Sequence, residues 1–262
     1  MTMYVPQRFA AANPEATLTV IENHGFATLV TPAGDECRIT HLPLLLDRET
    51  NQLLGHMARA NRHHEYLEGN TSTAIFTGPH GYMSPNWYRS DTVPTWNYAV
   101  VHVEAVAALI TDPAELYELV DRLGRQYESS LPNPWRPART AYADKQLAGI
   151  IGFSLSLNCI TAKFKLDQHL GADAVEHLAA NLESASGKDH QALAALMRRQ
   201  VHEKGQSTKP MHGSKSIAGG LWNAKIVEPD REQAIRQDQY SRAADQRQAS
   251  QDPVRRAAQD SL

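Results

Sequence analysis

The feature that most constrains the fold is the segment 96–110, a long run without Gly or Pro that is rich in Val. Residues of this kind favour a β-strand over a helix. Further strands are predicted from apolar runs bounded by turn residues at 26–31, 37–46, 52–57, 71–77 and 153–166. Because these strands mostly follow one another, with helices between and after them, the order predicts an antiparallel barrel and not a parallel doubly wound sheet.

Turn residues and helix caps mark the boundaries of these elements. The stretch 32–35 (PAGD) joins the first two strands as a hairpin, and the stretch 78–81 (GPHG) ends the strand that begins at Thr71. Asn13 followed by Pro14 suits the start of a helix that runs to about Asn23. Further helices are predicted from Asp112, which begins a capping box, and at 144–151, 172–182 and 190–199, with a proline-rich loop at 131–137.

Composition narrows the class of protein. The hydrophobic fraction is 42%, which is ordinary for a domain with a packed core. No apolar run reaches the roughly 18 residues of a membrane-spanning helix, and the N-terminus lacks the pattern of a secretory signal. The two cysteines, Cys37 and Cys159, lie far apart in the sequence. We therefore predict no disulfide framework and no membrane association, and a reducing cytoplasm as the compartment.

Charge is unevenly distributed along the chain. From Lys204 to the end there are 10 Lys and Arg against 7 Asp and Glu, a balance of +3, so the total of −3 leaves −6 for residues 1–203. An acidic body disfavours direct binding to DNA, because neutralisation of phosphates dominates that affinity. Contact between the tail and nucleic acid stays open, although a solvated tail is the better interpretation.

Several strings of unusual composition occur in a fixed order. They are 3–6 (MYVP), 41–44 (HLPL), 55–61 (GHMARAN), 78–88 (GPHGYMSPNWY), 93–98 (VPTWNY) and 163–168 (KFKLDQ). Together they resemble the PaiB-type family of FMN-binding negative transcriptional regulators, from Met3 to about Arg199. Two departures stand out. Asp167 replaces the Ser of the usual Lys-Leu-Ser-Gln-Asn motif, where it would repel a phosphate if it faced one, and Ala105 replaces a Gly.

The resemblance implies a β-dominated α+β fold: an FMN-binding split β-barrel with peripheral helices, similar to the pyridoxamine-phosphate oxidases. In such folds FMN lies in a groove between the two protomers of a homodimer. We expect the barrel at 1–170, a C-terminal helical extension at 171–203, and a polar tail at 204–262 that holds too few apolar side chains to fold.

The chemistry of FMN indicates which residues would hold it. Its phosphate needs cations or free N–H groups, and its ring needs hydrogen bonds and a flat apolar slot. Arg59 and Arg62 directly follow a predicted strand and are the first candidates for the phosphate, with Lys165 as a further cation. For each of them, an ordinary solvated surface side chain is the alternative.

The remaining candidates come from the motifs. Pro43 interrupts a strand, so Thr40, His41, Leu42 and Pro43 lie either beside the flavin or simply on an edge strand. Further flavin contacts are predicted at His56, Met57, Ala58, Asn61, Ser84, Trp96 and Gln168. His41 and His56 could equally be structural histidines. Trp87 and Tyr88 are expected at the dimer interface.

Three functions stay open at this point. The first is a PaiB-type, FMN-binding negative transcriptional regulator that acts on DNA directly or through a partner. The second is an FMN-dependent oxidoreductase of the pyridoxamine-phosphate-oxidase class. The third is a split barrel that binds haem through a single axial histidine. No nucleophile and base pair can be assembled from the sequence, and the adjacent His63 and His64 point apart. We therefore expect no metal site, and leave open whether the chain is catalytic.

Overall fold

The computed structural model describes residues 3–157, 159–207 and 225–226. Its α-helices are α1 (Pro14–Asn23), α2 (Pro113–Glu128), α3 (Ala141–Ala148), α4 (Ala172–Ser184) and α5 (His190–Ser207). Its strands are β1 (Phe26–Ala33), β2 (Glu36–Pro43), β3 (Leu45–Asp47), β4 (Gln52–Ala58), β5 (Thr71–Met83), β6 (Thr95–Ile110), β7 (Ile150–Ser156), β8 (Cys159–Lys165) and β9 (Lys225–Ile226). Short 3-10 helices cover Gln7–Phe9, Arg62–Tyr66 and Pro85–Trp87.

The strands form one sheet that divides around the long strand β6. The main path is β2-β1-β5-β6-β7-β4-β3, and all pairs along it are antiparallel. One edge of β6 pairs with β5, while its other edge pairs first with β8 and then with β7. Beyond β7 the sheet continues through β4, whereas β8 is followed by the parallel strand β9. This division confirms the predicted fold class, a β-dominated split barrel with peripheral helices.

Several predicted boundaries were wrong. The predicted strand 37–46 is broken at Leu44, whose N–H donates to the Gly25 carbonyl at 2.8 Å, and β3 follows the break. The strand that was predicted to end at Gly78 does not end there. Its pairing with β6 shifts register between Thr77 and His80, and β5 then continues to Met83. The predicted strand 153–166 is two strands, β7 and β8, which pair with successive parts of β6.

The helix predicted at 144–151 lies three residues earlier, because Thr140 caps it. The Thr140 hydroxyl accepts a hydrogen bond from the Ala143 N–H at 3.2 Å, so α3 begins at Ala141. The chain then passes through Gly149 into β7. Among the described residues, no helix combines the length and apolarity that a membrane crossing requires.

The core lies on one face of the sheet, and the C-terminal helices share it. Phe76, Val101 and Phe164 contribute from three neighbouring strands, and Leu178 of α4 and Leu193 of α5 join the same cluster. Buried Gln200 of α5 fastens the N-terminal segment, since its Oε1 accepts from the Ala12 N–H at 3.2 Å and its Nε2 donates to the Ala10 carbonyl at 3.1 Å. The helices of the extension 171–203 are therefore packed on the barrel. Most of the predicted tail 204–262 lies outside the described residues.

The opposite face of the sheet, away from this core, is partly open. The paired residues His41, Thr28, Ile75, His102 and Thr161 form one row across five strands. Side chains of directly paired residues point to the same side of a sheet. The "open sheet face" is defined here by five apolar residues of that side that are at least partly exposed: Phe26, Ile39, Ile75, Val100 and Val106.

Candidate functional site

A pocket of about 200 Å³ lies at the outer edge of β2. It is lined by Arg38, Ile39, Asn61, Arg62, His63 and Tyr66. Among the described strands β2 pairs with β1 only, so the edge position predicted from Pro43 is confirmed. Along this free edge, β2 contacts the segment that follows β4, which begins at Arg59. The structure thus brings Thr40 and Asn61 together.

A chain of hydrogen bonds joins the pocket to the core. Asn61 Nδ2 donates to Thr40 Oγ1 at 3.1 Å, and the same oxygen lies 2.7 Å from His63 Nδ1. His63 Nε2 lies 2.8 Å from Thr31 Oγ1, which is 2.7 Å from Ser72 Oγ. Asn61 also caps the short helix that begins at Arg62, because its Oδ1 accepts from the His63 N–H at 3.1 Å. The loop after β4 is therefore held to β1 and β2 by side chains.

Two arginines supply positive charge at this pocket. Arg38 forms an ion pair of 3.1 Å with Glu36, and its guanidinium lies 4.9 Å from the centre of the Tyr66 ring. Arg38 Nε is buried and has no hydrogen-bond partner. Arg62 is exposed and pairs with Glu65 at 2.8 Å. An unsatisfied buried N–H beside an exposed cation is the donor set that an anion would complete.

Arg59, the other predicted phosphate ligand, points elsewhere in this structure. Its Nε donates to the Ala148 carbonyl at 3.0 Å and its Nη2 to the Ile150 carbonyl at 3.2 Å. These bonds fasten the end of β4 to the junction of α3 and β7. The role of Arg59 as a phosphate ligand stays a prediction.

The neighbouring candidates on β4 occupy different surroundings. Met57 is buried in the core, and Ala58 is exposed at the end of the strand. His56 pairs with Gly152, where an added Cβ would lie 2.8 Å from both Leu116 and Leu119. His56 therefore shares the face that α2 covers. Burial lowers the pKa of His56, and its Nδ1 has no hydrogen-bond partner.

A second group of predicted residues gathers at the far end of β5, β6 and β8. Trp96 is 49% exposed, and its Nε1 donates to His80 Nδ1 at 3.3 Å. The ammonium of Lys165 donates to the Trp96 carbonyl at 2.9 Å and to the Thr95 hydroxyl. Burial lowers the pKa of Lys165. Ser84 caps the short helix Pro85–Trp87.

Gln168 of this second group and the adjacent Asp167 both make hydrogen bonds within the protomer, and the role of Gln168 in binding the flavin stays a prediction. Buried Gln168 accepts a hydrogen bond from the Leu166 N–H at 2.9 Å and donates to the Phe164 carbonyl. Asp167 is only 6% exposed and accepts from Tyr88 Oη at 2.7 Å and Asn97 Nδ2 at 2.8 Å. The replacement of Ser by Asp in the motif is thus explained by two donors within the same chain.

Trp87 and Tyr88 pack against the core of their own protomer. Packing within the protomer is therefore enough to explain the partial burial of Tyr88, and its predicted position at a dimer interface stays a prediction. Proximity to Asp167 and burial raise the pKa of the Tyr88 hydroxyl, with burial the larger cause.

The two groups of predicted residues are far apart within one protomer. Thr40 lies in the row of Leu29, Ala74 and Val103. Val103 and Trp96 are seven positions apart on β6, which at about 3.3 Å per residue is roughly 23 Å along the strand. The Thr40 group and the Trp96 group therefore do not form one site within a single chain.

Sequence reasoning missed Arg38, His63, Tyr66 and the partners of Asp167. Arg38 lies two positions before Thr40 on β2, so the two side chains share a face. The two-residue period of a strand could therefore have indicated Arg38 from the sequence. In the sequence His63 stands out only as the neighbour of His64, and nothing local indicates that it would meet Thr31 and Thr40.

Comparisons with known proteins agree with the motif strings. Residues 3–158 match a family model described as "Putative FMN-binding domain". The protease synthase and sporulation protein PAI 2 of Bacillus subtilis is 28% identical over 207 residues, covering 77% of this chain and all of that protein. The uncharacterized protein AN0679 of Emericella nidulans is 26% identical over 77% of this chain and 99% of its own length.

Solved structures are also similar. They include the flavocytochrome Anf3 of Azotobacter vinelandii, with 18% identity, a TM-score of 0.48, and coverage of 60% of this chain and 69% of that one. The FAD- and haem-binding protein of Mycobacterium smegmatis has 15% identity, a TM-score of 0.49, and coverage of 59% and 72%.

The family match covers more than half of the chain, from the N-terminal strings through β7. It includes the β2 edge, the loop after β4 and the segment 78–98, which carry most of the predicted contacts. FMN is therefore the cofactor that the family model indicates, and the chain belongs to the PaiB-type family of proteins with this FMN-binding domain.

Proposed function

We propose that this chain is a cytoplasmic homodimer that binds FMN between its protomers and acts as a PaiB-type negative regulator of transcription. The observation that carries the proposal is the roughly 23 Å along β6 that separates the Thr40 group from the Trp96 group. Two groups of predicted flavin contacts that cannot meet within one chain can meet across a dimer. Each site would then take its phosphate end from one copy and its second group from the other.

The pocket at the β2 edge supports a role as the phosphate end. Arg38 offers its unpartnered Nε, Arg62 offers an exposed guanidinium, and Asn61 lines the wall. The pocket volume of about 200 Å³ is below the roughly 300–1,000 Å³ of complete small-molecule sites. It holds a phosphate with part of the ribityl chain, so the rest of the cofactor must lie outside it.

The open sheet face supports a role as the dimer interface. Phe26 is 71% exposed and Ile39 60% exposed, and both lie on the side that carries His41 and His102. Exposed apolar side chains that share one face of a sheet are characteristic of an interaction site. Ile39 belongs both to this face and to the pocket, so a second copy seated there would close the pocket.

The side chains around the pocket favour binding over catalysis by the protein itself. Arg38, Arg62 and Asn61 donate hydrogen bonds and orient an anion, and His63 is engaged at both ring nitrogens. When bound, FMN supplies redox chemistry and visible absorbance. Since residues 1–203 carry a net −6 and the whole chain −3, we infer that regulation passes through a partner or a redox signal more than through direct DNA contact.

Absorbance of the purified protein tests the cofactor, and light scattering tests the oligomer. We expect flavin bands, release of FMN on denaturation as identified by mass spectrometry, and the mass of a dimer. A monomer with bound FMN would overturn the shared site, and a Soret band would indicate haem instead.

Two further measurements separate regulator from enzyme. Bleaching by NAD(P)H with rapid reoxidation in air over many cycles would favour the oxidoreductase. A gel shift on the upstream region of its own gene, steep in salt, would indicate direct repression. For a regulator that acts through a partner, we expect neither result with the purified chain.

A further inference from the structure

His63 is buried at the wall of the pocket, with only 3% of its surface exposed. It lies in the short helix Arg62–Tyr66, between the loop after β4 and strands β1 and β2. Both of its ring nitrogens contact side-chain hydroxyls: Nδ1 meets Thr40 Oγ1 at 2.7 Å, and Nε2 meets Thr31 Oγ1 at 2.8 Å. The imidazole therefore bridges two strands from a position on the loop.

All the hydrogen bonds of this bridge can be satisfied if each group donates toward the core, along the chain of contacts that runs from Asn61 to Ser72. Asn61 donates to Thr40 Oγ1, which leaves the Thr40 hydroxyl proton for His63 Nδ1. The proton of a neutral imidazole then resides on Nε2 and is donated to Thr31 Oγ1, and Thr31 pairs with Ser72. Burial and, secondarily, the Arg38 guanidinium hold the pKa of His63 below its ordinary value, which favours this neutral form.

Thr31 and Ser72 are on the inner side of the bridge and far from solvent, at 0% and 1% exposure. They lie on β1 and β5 and cannot touch a ligand in the pocket. Thr40 and Asn61 are at the outer end, on the residues that line or adjoin the pocket. The bridge thus connects the buried hydroxyls of Thr31 and Ser72 in the core to the proposed phosphate site.

We propose that His63 is a positioning residue for the phosphate of the cofactor, because its bridge to Thr31 fixes Thr40 and Asn61 in the geometry that the phosphate end requires. The inference rests on the proposed function, since it assigns the β2-edge pocket to the phosphate. It concerns the phosphate alone, and not the isoalloxazine ring.

The test compares two ligands that differ by that phosphate. Apo-protein prepared from the full chain is titrated with FMN and with riboflavin, and binding is followed by the change in flavin fluorescence. Wild-type protein is measured first. Failure of the wild type to bind FMN would overturn the proposed function itself, and is thereby distinguished from a failure of this inference.

Thr31→Val is the decisive variant, because valine has the shape of threonine and the altered atom is out of reach of any ligand. We expect its Kd for FMN to rise about five- to tenfold, the loss of one hydrogen bond, while the Kd for riboflavin stays within about twofold. Thr31→Ser keeps the hydroxyl and is the matched control, for which we expect wild-type affinity for both flavins. Unchanged FMN binding by Thr31→Val, or an equal loss for both flavins, would overturn the inference.

Two replacements of His63 protect the test against a variant that fails to fold. Asn places an amide near Nδ1 and retains the contact with Thr40, whereas Gln reaches toward the position of Nε2 and retains the contact with Thr31. We expect both variants to bind FMN more weakly than wild type while their Kd for riboflavin stays within about twofold, because each breaks one end of the bridge between Thr31 and Thr40. Wild-type FMN affinity in either variant, with cooperative thermal unfolding of both, would contradict the assigned role.

Discussion

The hydroxyl of Tyr88 donates a hydrogen bond of 2.7 Å to the buried carboxylate of Asp167. Asp167 stands in the left-handed region with φ of 58°, two residues after the end of β8. Asn97 of β6 donates to the same oxygen, Oδ2, at 2.8 Å. The pair therefore ties the segment 84–88 to the strands that carry Trp96 and Lys165.

Replacing Tyr88 with Phe removes one of the two described donors to this carboxylate. A buried acceptor that loses a partner costs about 1–3 kcal/mol, so we expect the free energy of unfolding of Tyr88→Phe to fall by that amount. Urea denaturation followed by tryptophan fluorescence measures it. Tyr142→Phe is the control, because Tyr142 is 74% exposed. An equal effect of the two substitutions would show that the Asp167 contact contributes nothing.

In the proposed function, Arg38 holds the phosphate. Substitution Arg38→Gln removes the charge and the unpartnered Nε, and the loss of a charge-assisted hydrogen bond is expected to raise the Kd for FMN roughly tenfold or more. Riboflavin, which lacks the phosphate, should bind with little change. Titration of both flavins checks the expectation.

Arg48→Gln is the control for that experiment. Arg48 is engaged with Glu15 and Glu22 on another part of the surface, so its loss should leave FMN binding unaltered. If Arg38→Gln binds FMN as tightly as Arg48→Gln does, the phosphate lies elsewhere, and Arg59 becomes the leading candidate for its ligand.

A charge on the open sheet face should separate the proposed dimer. In Phe26→Asp the new carboxylate would have to be desolvated on association, which is costly without a partner. We expect light scattering to show a monomer, with loss of FMN, at concentrations where the wild type is a dimer. Tyr142→Asp, on the exposed side of α3, should remain dimeric. The reverse result would place the interface at α3.

Acid should destabilise the fold from about neutral pH downward. Burial lowers the pKa of His24, His56, His63 and His102 in the folded chain, whereas in the unfolded chain histidines titrate near pH 6.5. Below that value the unfolded state binds more protons, so the free energy of unfolding falls as the pH falls. This contribution is complete above about pH 6.5 and is lost progressively below it.

Carboxylates enter that profile only at lower pH. The pKa values of Glu15 and Asp47 are lowered by ion pairs and hydrogen bonds to Arg48, Thr50 and Arg122, against the opposing effect of burial. Their contribution is therefore lost only below about pH 4.5. Urea midpoints at pH 7.5, 6.5 and 5.5 isolate the histidines, and His63→Asn should show a shallower slope than wild type. A midpoint that does not change over this range would contradict the expectation.

Periodicity and turn chemistry were enough to predict most elements of the fold. The Val-rich run 96–110 is β6, the capping pattern at Asp112 begins α2, and Pro43 marks an edge strand. These features depend on neighbours within a few residues, and for that reason a sequence reveals them. The motif strings indicated the family, because their order along the chain can be recognised without knowing what their side chains contact.

Contacts between distant segments could not be read in the same way. Arg59 follows β4 as predicted, yet its guanidinium donates to the carbonyls of Ala148 and Ile150. Strand register decides such partners, and the register between β4 and β7 is set by packing over about ninety intervening residues. The same holds for Asp167, whose donors come from two other segments.

The sequence by itself determined the β-dominated class, the approximate positions of most strands and helices, and the family that binds FMN. Only the tertiary structure decided that Thr40 and Asn61 meet at the edge of β2, that Trp96 and Lys165 lie at the far end of β6, and that His63 bridges the first pair to the core. Local preferences fix which way a side chain faces along its own strand. Which faces meet depends on long-range pairing, which is selected by burial of the whole core and not by any one segment.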